Sequence, residues 1–387
     1  MTLSTPSDCS VILTYRCQMR CKMCNIWENP TDHKKEITPS VLEKLPELKV
    51  INITGGEPFV RKDIDEFAKI SLRKAKTVVV STSGWHVDRI LSFCEKFPEV
   101  GIRISIEGLS RNNDNLRGRD GGFDRAMRVI TELKRRGHKN IGFGITVSNH
   151  NSKDLLPMYE LSRSLGLELA TATFHNSFYF HKGDNEVTNK DEVIANFLKL
   201  ANLQIREMHP KLWLRSLFNL GLIRYTLNQR RMLPCEAGTE NFFIYPYGDV
   251  YPCNGLEDRY WKKKMGNIND HENFLDLWYS EDATKVRSLV STCQKNCWMV
   301  GTAAPVMKKY KFKTIPWALK AKLKSAFGYE FTLSDLPEFE VGQDPLQGDL
   351  SEERPGPVDQ TLEEAQGIQF VGDFLEDTKL VANGVEK

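Results

Sequence analysis

Three cysteines, Cys17, Cys21 and Cys24, fall within eight residues, spaced x3 then x2. Thiolates are soft ligands and are the ones that hold iron–sulfur clusters. A cubane [4Fe–4S] cluster offers four iron corners, so three thiolates leave one iron open to a non-protein ligand. The alternatives are a zinc site short of its fourth ligand, or a disulfide segment. Structural zinc usually pairs two Cys or Cys/His knuckles, and neither pattern surrounds Cys17. A second group, Cys235, Cys253, Cys293 and Cys297, supplies four more thiols. Four ligands suit one complete extra cluster, with a zinc ion as the alternative.

The elements that must position these thiols are short β-rich runs alternating with helical ones. Strands are expected at Val11–Thr14, Val50–Thr54, Thr77–Ser81, Gly101–Ile106, Ile141–Val147 and Glu168–Phe174. Helices are expected at Pro39–Leu45, Asp63–Lys74, Val87–Phe97, Phe123–Arg136 and Ser152–Leu165. In Phe123–Arg136 the apolar Phe123, Ala126, Met127, Ile130 and Leu133 recur at helical spacing. Alternation of this kind implies right-handed crossovers and a parallel sheet. Six repeats are too few for a closed eight-stranded barrel. The fold class is therefore α/β, a partial (β/α)6 barrel with a small C-terminal auxiliary domain made of a β-hairpin and a helix. Chemistry in such barrels sits at the C-terminal strand ends. Cys17 follows strand one, Gly55-Gly56-Glu57-Pro58 strand two, and Ser83-Gly84 strand three. Glu107-Gly108, Ser148-Asn149 and His175-Asn176 follow strands four, five and six.

On the cysteine triplet and the Gly-Gly-Glu-Pro turn, which lies 31 residues beyond Cys24, the chain resembles the radical S-adenosylmethionine superfamily. The resemblance implies that Cys17, Cys21 and Cys24 hold a [4Fe–4S] cluster whose open iron chelates the amino and carboxylate groups of S-adenosylmethionine. It implies one-electron cleavage to methionine and a 5′-deoxyadenosyl radical, which takes hydrogen from substrate. Gly55, Gly56, Glu57 and Pro58 would line the cofactor, Ser83 and Ser105 would face it, and Arg117 would pair with its carboxylate as a charge-assisted fork. Two departures are visible: Met23 stands before the third cysteine where an aromatic residue is usual, and Glu107 stands where aspartate is commoner. As a plain solvated loop, the Arg117 segment needs no cofactor at all.

Residues 186–232 read as two helices, Asp191–Met208 and Leu212–Leu227, expected to close the open side of the barrel core (1–185). Arg215, Arg224 or Tyr225 would then reach toward substrate. From 233 to 301, Phe242–Pro252 reads as a hairpin about Gly248-Asp249. It would bring Cys235 and Cys253 together, with a helix at His271–Val290 behind them. The form C-x12-G-x4-C resembles the auxiliary-cluster domains of SPASM and twitch type. That resemblance implies one auxiliary [4Fe–4S] cluster on Cys235, Cys253, Cys293 and Cys297. The last pair is spaced x3 where x2 is usual. Cys94 reads as a small buried hydrophobe, and Cys9 is left over.

Beyond residue 301, Met307–Lys313 and Trp317–Lys324 are basic with interleaved apolar residues. Segment 307–325 is suited to an anionic membrane surface or a partner, although such a stretch is more often a solvated helix on its own domain. The tail to 387 turns acidic and rich in Gly and Pro, with disorder expected around Pro345–Pro357 and a marginal helix at Leu362–Ala365. A net charge of +2 points to no nucleic acid. The absence of a signal peptide or long apolar run, with clustered cysteines, points to the cytoplasm.

The functional expectation is a radical enzyme that oxidises or rearranges a small polar metabolite, sugar- or aminocyclitol-like, with the auxiliary cluster as electron acceptor. A flavodoxin or ferredoxin would be its reductant. His175, Asn176 and Tyr179 are the expected substrate contacts. The competing expectation is maturation of a ribosomally made peptide, against which stands the short stretch before Cys9, with no leader-binding module. A non-catalytic iron–sulfur or zinc protein is the remote third.

Overall fold

A computed structural model describes residues 4–254, 264–291, 293 and 295–339. The six expected strands form: β1 (Asp8–Ile12), β2 (Leu48–Thr54), β3 (Ala75–Thr82), β4 (Gly101–Ser105), β5 (Ile141–Val147) and β6 (Glu168–Thr173). Each pairs in parallel with the next, so the sheet runs in sequence order from β1 to β6. Between them lie a 3-10 stretch (Pro39–Lys44) and helices α1 (Ile64–Lys74), α2 (Val87–Lys96), α3 (Ser110–Arg117), α4 (Gly122–Arg135) and α5 (Leu155–Ser164). Parallel strands need such crossovers, and the helices bury one face of the sheet. In α4 the buried residues are Gly122, Ala126, Val129, Ile130 and Leu133, so three of the five residues that the apolar spacing marks are buried and the other two, Phe123 and Met127, are partly so.

Helix α3 has no apolar periodicity and reads in sequence as a loop. It forms because Asn113 and Leu116 are buried and Asn113 Oδ1 accepts the Glu107 N–H at 2.9 Å. Gly118, at φ +65°, ends it. A Cβ there would lie 2.2 Å from the Arg20 carbonyl, so α3 is held against the cysteine loop by a residue without a side chain.

The hairpin forms, but it does not stand apart. Strand β7 (Asn241–Ile244) pairs in parallel with β1, and β8 (Asp249–Tyr251) and β9 (Gly266–Asn267) follow antiparallel. The described strands thus make one sheet ordered β6-β5-β4-β3-β2-β1-β7-β8-β9. The auxiliary segment covers the outer edge of β1, which would otherwise present unpaired backbone groups. Val11 and Ile12 are fully buried as a result.

Helices α6 (Lys190–Arg206) and α7 (Pro210–Thr226) pack together, and Asn219 of α7 accepts from Thr171 of β6 at 2.6 Å. Arg224 is held by Glu338 at 2.9 Å, and Arg215 lies 3.8 Å from Glu168 at the start of β6, away from the strands' C-terminal rim. The helix expected at 271–290 is two, α8 (Phe274–Trp278) and α9 (Glu281–Ser291). Ser280 divides them, its Oγ accepting the Ala283 N–H at 3.1 Å. Two further helices, α10 (Val300–Lys309) and α11 (Lys311–Ala326), complete the described fold. Cys9 and Cys94 are buried. The expectations for Pro345–Pro357 and Leu362–Ala365 lie outside the described residues.

Candidate active site

Along the barrel strands alternate residues are for the most part buried beneath helices, and those between them are for the most part half-exposed. The half-exposed set includes Ser10, Asn52, Ser81, Ser105, Thr146 and Ala172, which share one face of the sheet because strand residues alternate. Ser81 Oγ donates to Asn52 Oδ1 at 3.0 Å across it. Small and polar side chains leave this face open. Ser105 lies at its upper edge, where β4 ends.

The cysteine loop crosses that edge and is pinned from three sides through its backbone. Gly56 and Glu57 donate to the carbonyls of Thr14 and Arg16 at 2.7 and 3.0 Å. Arg20 and Lys22 donate to Arg117 and Leu116 at 3.1 and 2.9 Å, and Asn25 donates to Phe180 at 2.8 Å. The Gly-Gly pair is required by this approach. A Cβ on Gly56 would lie 2.5 Å from the Arg16 carbonyl, and one on Gly55 would lie 2.7 Å from that of Thr14. Contact with the chain's own cysteine loop is thus the first reason for the two glycines.

Glu57 is turned inward and fully buried. Its Oε1 accepts from Phe59 N at 3.1 Å and Thr82 Oγ1 at 2.7 Å, and its Oε2 accepts from Ser83 N at 2.8 Å and from Ser83 Oγ. The carboxylate therefore ties the end of β2 to the end of β3. Pro58 starts a buried 3-10 turn behind it. Ser83 also receives Gln18 Nε2 at 3.0 Å, which links this knot to the cysteine loop.

Arg117 and Glu107 make a buried ion pair at 3.0 Å, and Glu107 Oε2 accepts the Thr146 N–H at 2.6 Å. Burial pushes the Glu107 carboxyl up, against the pull of Arg117 and the Thr146 N–H. The Arg117 guanidinium is held charged: burial works against it, and Cys21, Glu107 and Cys17 outweigh that. Its Nε has no partner among the described residues.

A second anchor was invisible in sequence. Glu36 accepts from Thr14, Thr31, Arg16 Nη2 at 2.9 Å and Arg61 Nη1 at 3.1 Å. Arg61 also donates to the carbonyls of Leu13 and Ile37 at 3.1 and 2.9 Å. Burial alone would raise the Glu36 carboxyl, but hydrogen bonds from Arg16, Thr14 and Thr31 bring it below its usual value. These residues carry no motif, and only contact across 25 residues reveals them.

Among the expected substrate contacts, Asn176 is engaged within its own loop, with Asn185 N at 2.8 Å and Asn185 O at 3.2 Å. Tyr179 is buried and donates to the Gly55 carbonyl at 2.7 Å. His175 places Nδ1 3.0 Å from the Thr173 carbonyl, and burial lowers its pKa, so the ring is neutral. Its Nε2 is a buried atom with no partner among the described residues. The same is true of Gln18 Oε1, His86 Nε2, Arg117 Nε and Asn149 Oδ1. The segments that follow β1, β3, β4, β5 and β6 thus all hold orphaned polar atoms, on the rim where a polar ligand would satisfy them.

Burial pushes all three loop thiols up, Cys24 to about 12. Each of Cys17 and Cys24 also feels the Cys21 charge, and Arg117 opposes the shift in all three. In the auxiliary segment, burial pushes Cys293 up and Cys297 up to about 11, and Cys235 contributes to both. Arg231 holds this corner by donating to the Leu233 carbonyl at 3.1 Å and to that of Cys297. Among the described residues no three His, Cys, Asp or Glu converge as ligands of a single ion. A four-iron cluster spaces its thiolates more widely, one to each iron corner. Three neighbouring thiols on one loop, beside orphaned rim atoms, fit a cluster and a polar cofactor.

An aromatic wall lies between the two cysteine groups. Tyr15, Phe178, Tyr179, Phe180, Tyr245 and Tyr251 pack into one cluster that touches both Cys24 and Cys253. Tyr179 and Tyr245 stack at 6.1 Å, and Tyr245 and Tyr251 lie 4.6 Å apart.

Comparison with known proteins agrees with this geometry. The radical SAM superfamily profile matches residues 11–161, and that of an iron–sulfur cluster-binding domain, SPASM, matches 235–298. Pre-heme d1 synthase of Dinoroseobacter shibae is 31% identical, over 70% of this chain and 72% of its own length. Fe-coproporphyrin III synthase of Methanosarcina barkeri is 26% identical, but the alignment spans only about half of either protein, 51%. The mycofactocin maturase MftC of Mycobacterium tuberculosis is 24% identical over 69% of this chain and 68% of its own. In fold, Streptococcus suis SuiB bound to S-adenosylmethionine superposes with a TM-score of 0.56 at 15% identity, over 76% of this chain and 73% of that one.

Proposed function

The chain belongs to the radical S-adenosylmethionine superfamily and carries a SPASM domain, and from that premise we propose that it modifies a peptide. It is an enzyme whose cofactors are [4Fe–4S] clusters and S-adenosylmethionine. When bound, these supply a carbon radical able to take a hydrogen atom from the substrate. Cys17, Cys21 and Cys24 hold the first cluster, and Cys235, Cys253, Cys293 and Cys297 hold the auxiliary one. Ser105 and the Nε of Arg117, which has no partner among the described residues, face the cofactor. Glu57, Ser83 and Glu107 position the loops that surround it. Gly55 and Gly56 bring the backbone of that rim against the cysteine loop.

The observation that carries the substrate reading is the aromatic wall between Cys24 and Cys253. The rings of Tyr15, Phe178, Tyr179, Phe180, Tyr245 and Tyr251 offer broad aromatic area, with the Tyr179 hydroxyl already engaged on the Gly55 carbonyl, and such ring faces suit an amino-acid side chain better than a polyhydroxylated sugar. The relatives point the same way, since the Mycobacterium protein and a Bacillus subtilis relative, 25% identical, are named as maturases, the latter of sporulation killing factor. The expectation of a small sugar-like metabolite therefore gives way to the peptide. Flavodoxin or ferredoxin remains the proposed reductant.

A second reading rests on the two relatives named as synthases of heme-type products. A tetrapyrrole would also stack on an aromatic wall. The test is anaerobic reconstitution followed by incubation with peptides encoded beside the gene or with coproporphyrin-type tetrapyrroles. Formation of 5′-deoxyadenosine coupled to a mass change in a peptide is expected. Coupling to the tetrapyrrole alone would overturn the peptide reading.

A further inference from the structure

Helix α11 covers its own domain with one face and leaves the other bare. Thr314, Ala318, Ala321 and Ser325 are buried. Ala321 packs with Ile205 and Phe331, flanked by Trp213 and Trp317, and Lys322 caps α6 through the Arg206 carbonyl at 2.7 Å. The outward side carries Phe312, Ile315, Leu319, Leu323 and Phe327, which are 83, 45, 54, 62 and 85% exposed. Their spacing keeps all five within one side of a helix with 3.6 residues per turn. Scattered surface hydrophobics are ordinary, but a continuous stripe of five large ones marks an interaction surface.

The charges say what it meets. From residue 300 to 329 the chain has seven lysines and no Asp or Glu. By helical position Lys311 and Lys322 flank the stripe on one side, and Lys313, Lys320 and Lys324 flank it on the other. Lys308 and Lys309 of α10 are paired with Asp8, Glu236 and Glu240. Lys313, Lys320 and Lys324 pair with no carboxylate among the described residues. A second copy of this face would bring lysine against lysine. An anionic lipid surface accepts the apolar stripe between its acyl chains while lysines on both flanks reach the headgroups. No described helix is long and apolar enough to cross a membrane, so the contact is a flat one.

We propose that α11 docks this enzyme on anionic lipid bilayers through Phe312, Ile315, Leu319, Leu323 and Phe327, with Lys311, Lys313, Lys320 and Lys324 engaging lipid phosphates. This goes beyond the proposed catalytic function and is independent of it.

The test is co-sedimentation of the full-length, cluster-loaded chain with phosphatidylcholine vesicles, with and without phosphatidylglycerol at roughly one lipid in four. Partition into the anionic vesicles should exceed that into pure phosphatidylcholine at least about tenfold, and should fall as salt is raised. The double variant Leu319→Glu/Leu323→Glu should lose at least about tenfold in partition, with its thermal unfolding unchanged because both residues are exposed. Lys320→Glu/Lys324→Glu should lose the preference for anionic lipid. Failure of the unaltered chain to partition, or undiminished partition of the leucine variant, would overturn the proposal. So would a concentration-dependent dimer abolished by the leucine variant without lipid binding, or capture of α11 by the chain's own acidic C-terminal residues. None of these readouts depends on substrate turnover.

Discussion

The Ser83 backbone N–H donates to the fully buried carboxylate of Glu57 at 2.8 Å, so the strand-two turn and the strand-three end share one hydrogen-bonded knot. Phe59 N, Thr82 Oγ1 and Ser83 Oγ complete it. Glu57→Ala strands these buried donors at once and should cost about 3–5 kcal/mol, because each loses its partner without gaining water. Glu57→Gln keeps the volume but turns an amide donor toward other donors, and should cost about 1–3 kcal/mol. Urea unfolding of the cluster-free chain measures both. An alanine variant as stable as the parent would show that Glu57 serves only a ligand.

Arg117 joins α3 to the cysteine loop through its backbone to Arg20 and to the end of β4 through its side chain to Glu107. Arg117→Met alone leaves Glu107 buried without its countercharge and should destabilise by about 3–5 kcal/mol. Glu107→Leu added to it should restore much of that loss. If Arg117 also serves the cofactor, the double variant regains stability while binding S-adenosylmethionine far more weakly. Regained stability with unchanged cofactor affinity would confine Arg117 to the ion pair.

Much of this was legible beforehand, for physical reasons. Six strands were readable because short β-branched runs alternate with amphipathic helical ones at βα spacing, and the thiol groups stood out as candidate ligands because of their residue type and short spacing. Helix α3 was not, since its turn is held by the tertiary contacts of Asn113 and Gly118 and not by its own periodicity. The union of the hairpin with β1 was equally hidden, because a strand's alternation says nothing of which edge it joins. Glu36 had no signal either. Its partners Arg16 and Arg61 are 20 and 25 residues away and meet it only in the fold.

Glu36 makes stability sensitive to acid. Its carboxyl lies below the ordinary 4.5 because hydrogen bonds from Arg16, Thr14 and Thr31 outweigh its burial. A group depressed by folding contributes fully above its unfolded value and loses that contribution as pH falls through the folded one. Stability should therefore be flat above about pH 4.5 with respect to this group and decline below it. Glu36→Gln should be less stable at pH 7 and should show a shallower decline toward acid. An unchanged acid limb in that variant would remove Glu36 from the account.

Burial raises the thiols of Cys17, Cys21, Cys24, Cys293 and Cys297, which are among the proposed cluster ligands, Cys24 to about 12 and Cys297 to about 11, so these are protonated at neutral pH in the metal-free chain. Only the thiolate attacks electrophiles or ligates iron. Metal-free protein should therefore react with iodoacetamide at least about tenfold more slowly at these positions than an unfolded control, with rates that climb steadily above pH 9. Cluster insertion must expel the protons, so an unbuffered indicator should record acid release as iron and sulfide are added. Cys21→Ala should remove the first cluster and all cleavage of S-adenosylmethionine, and Cys253→Ala should spare both while lowering substrate turnover. Iron counting on the two variants separates the sites. Cleavage surviving in Cys21→Ala would sink the assignment of the loop, and an unchanged iron count in Cys253→Ala would remove that residue from the auxiliary ligands.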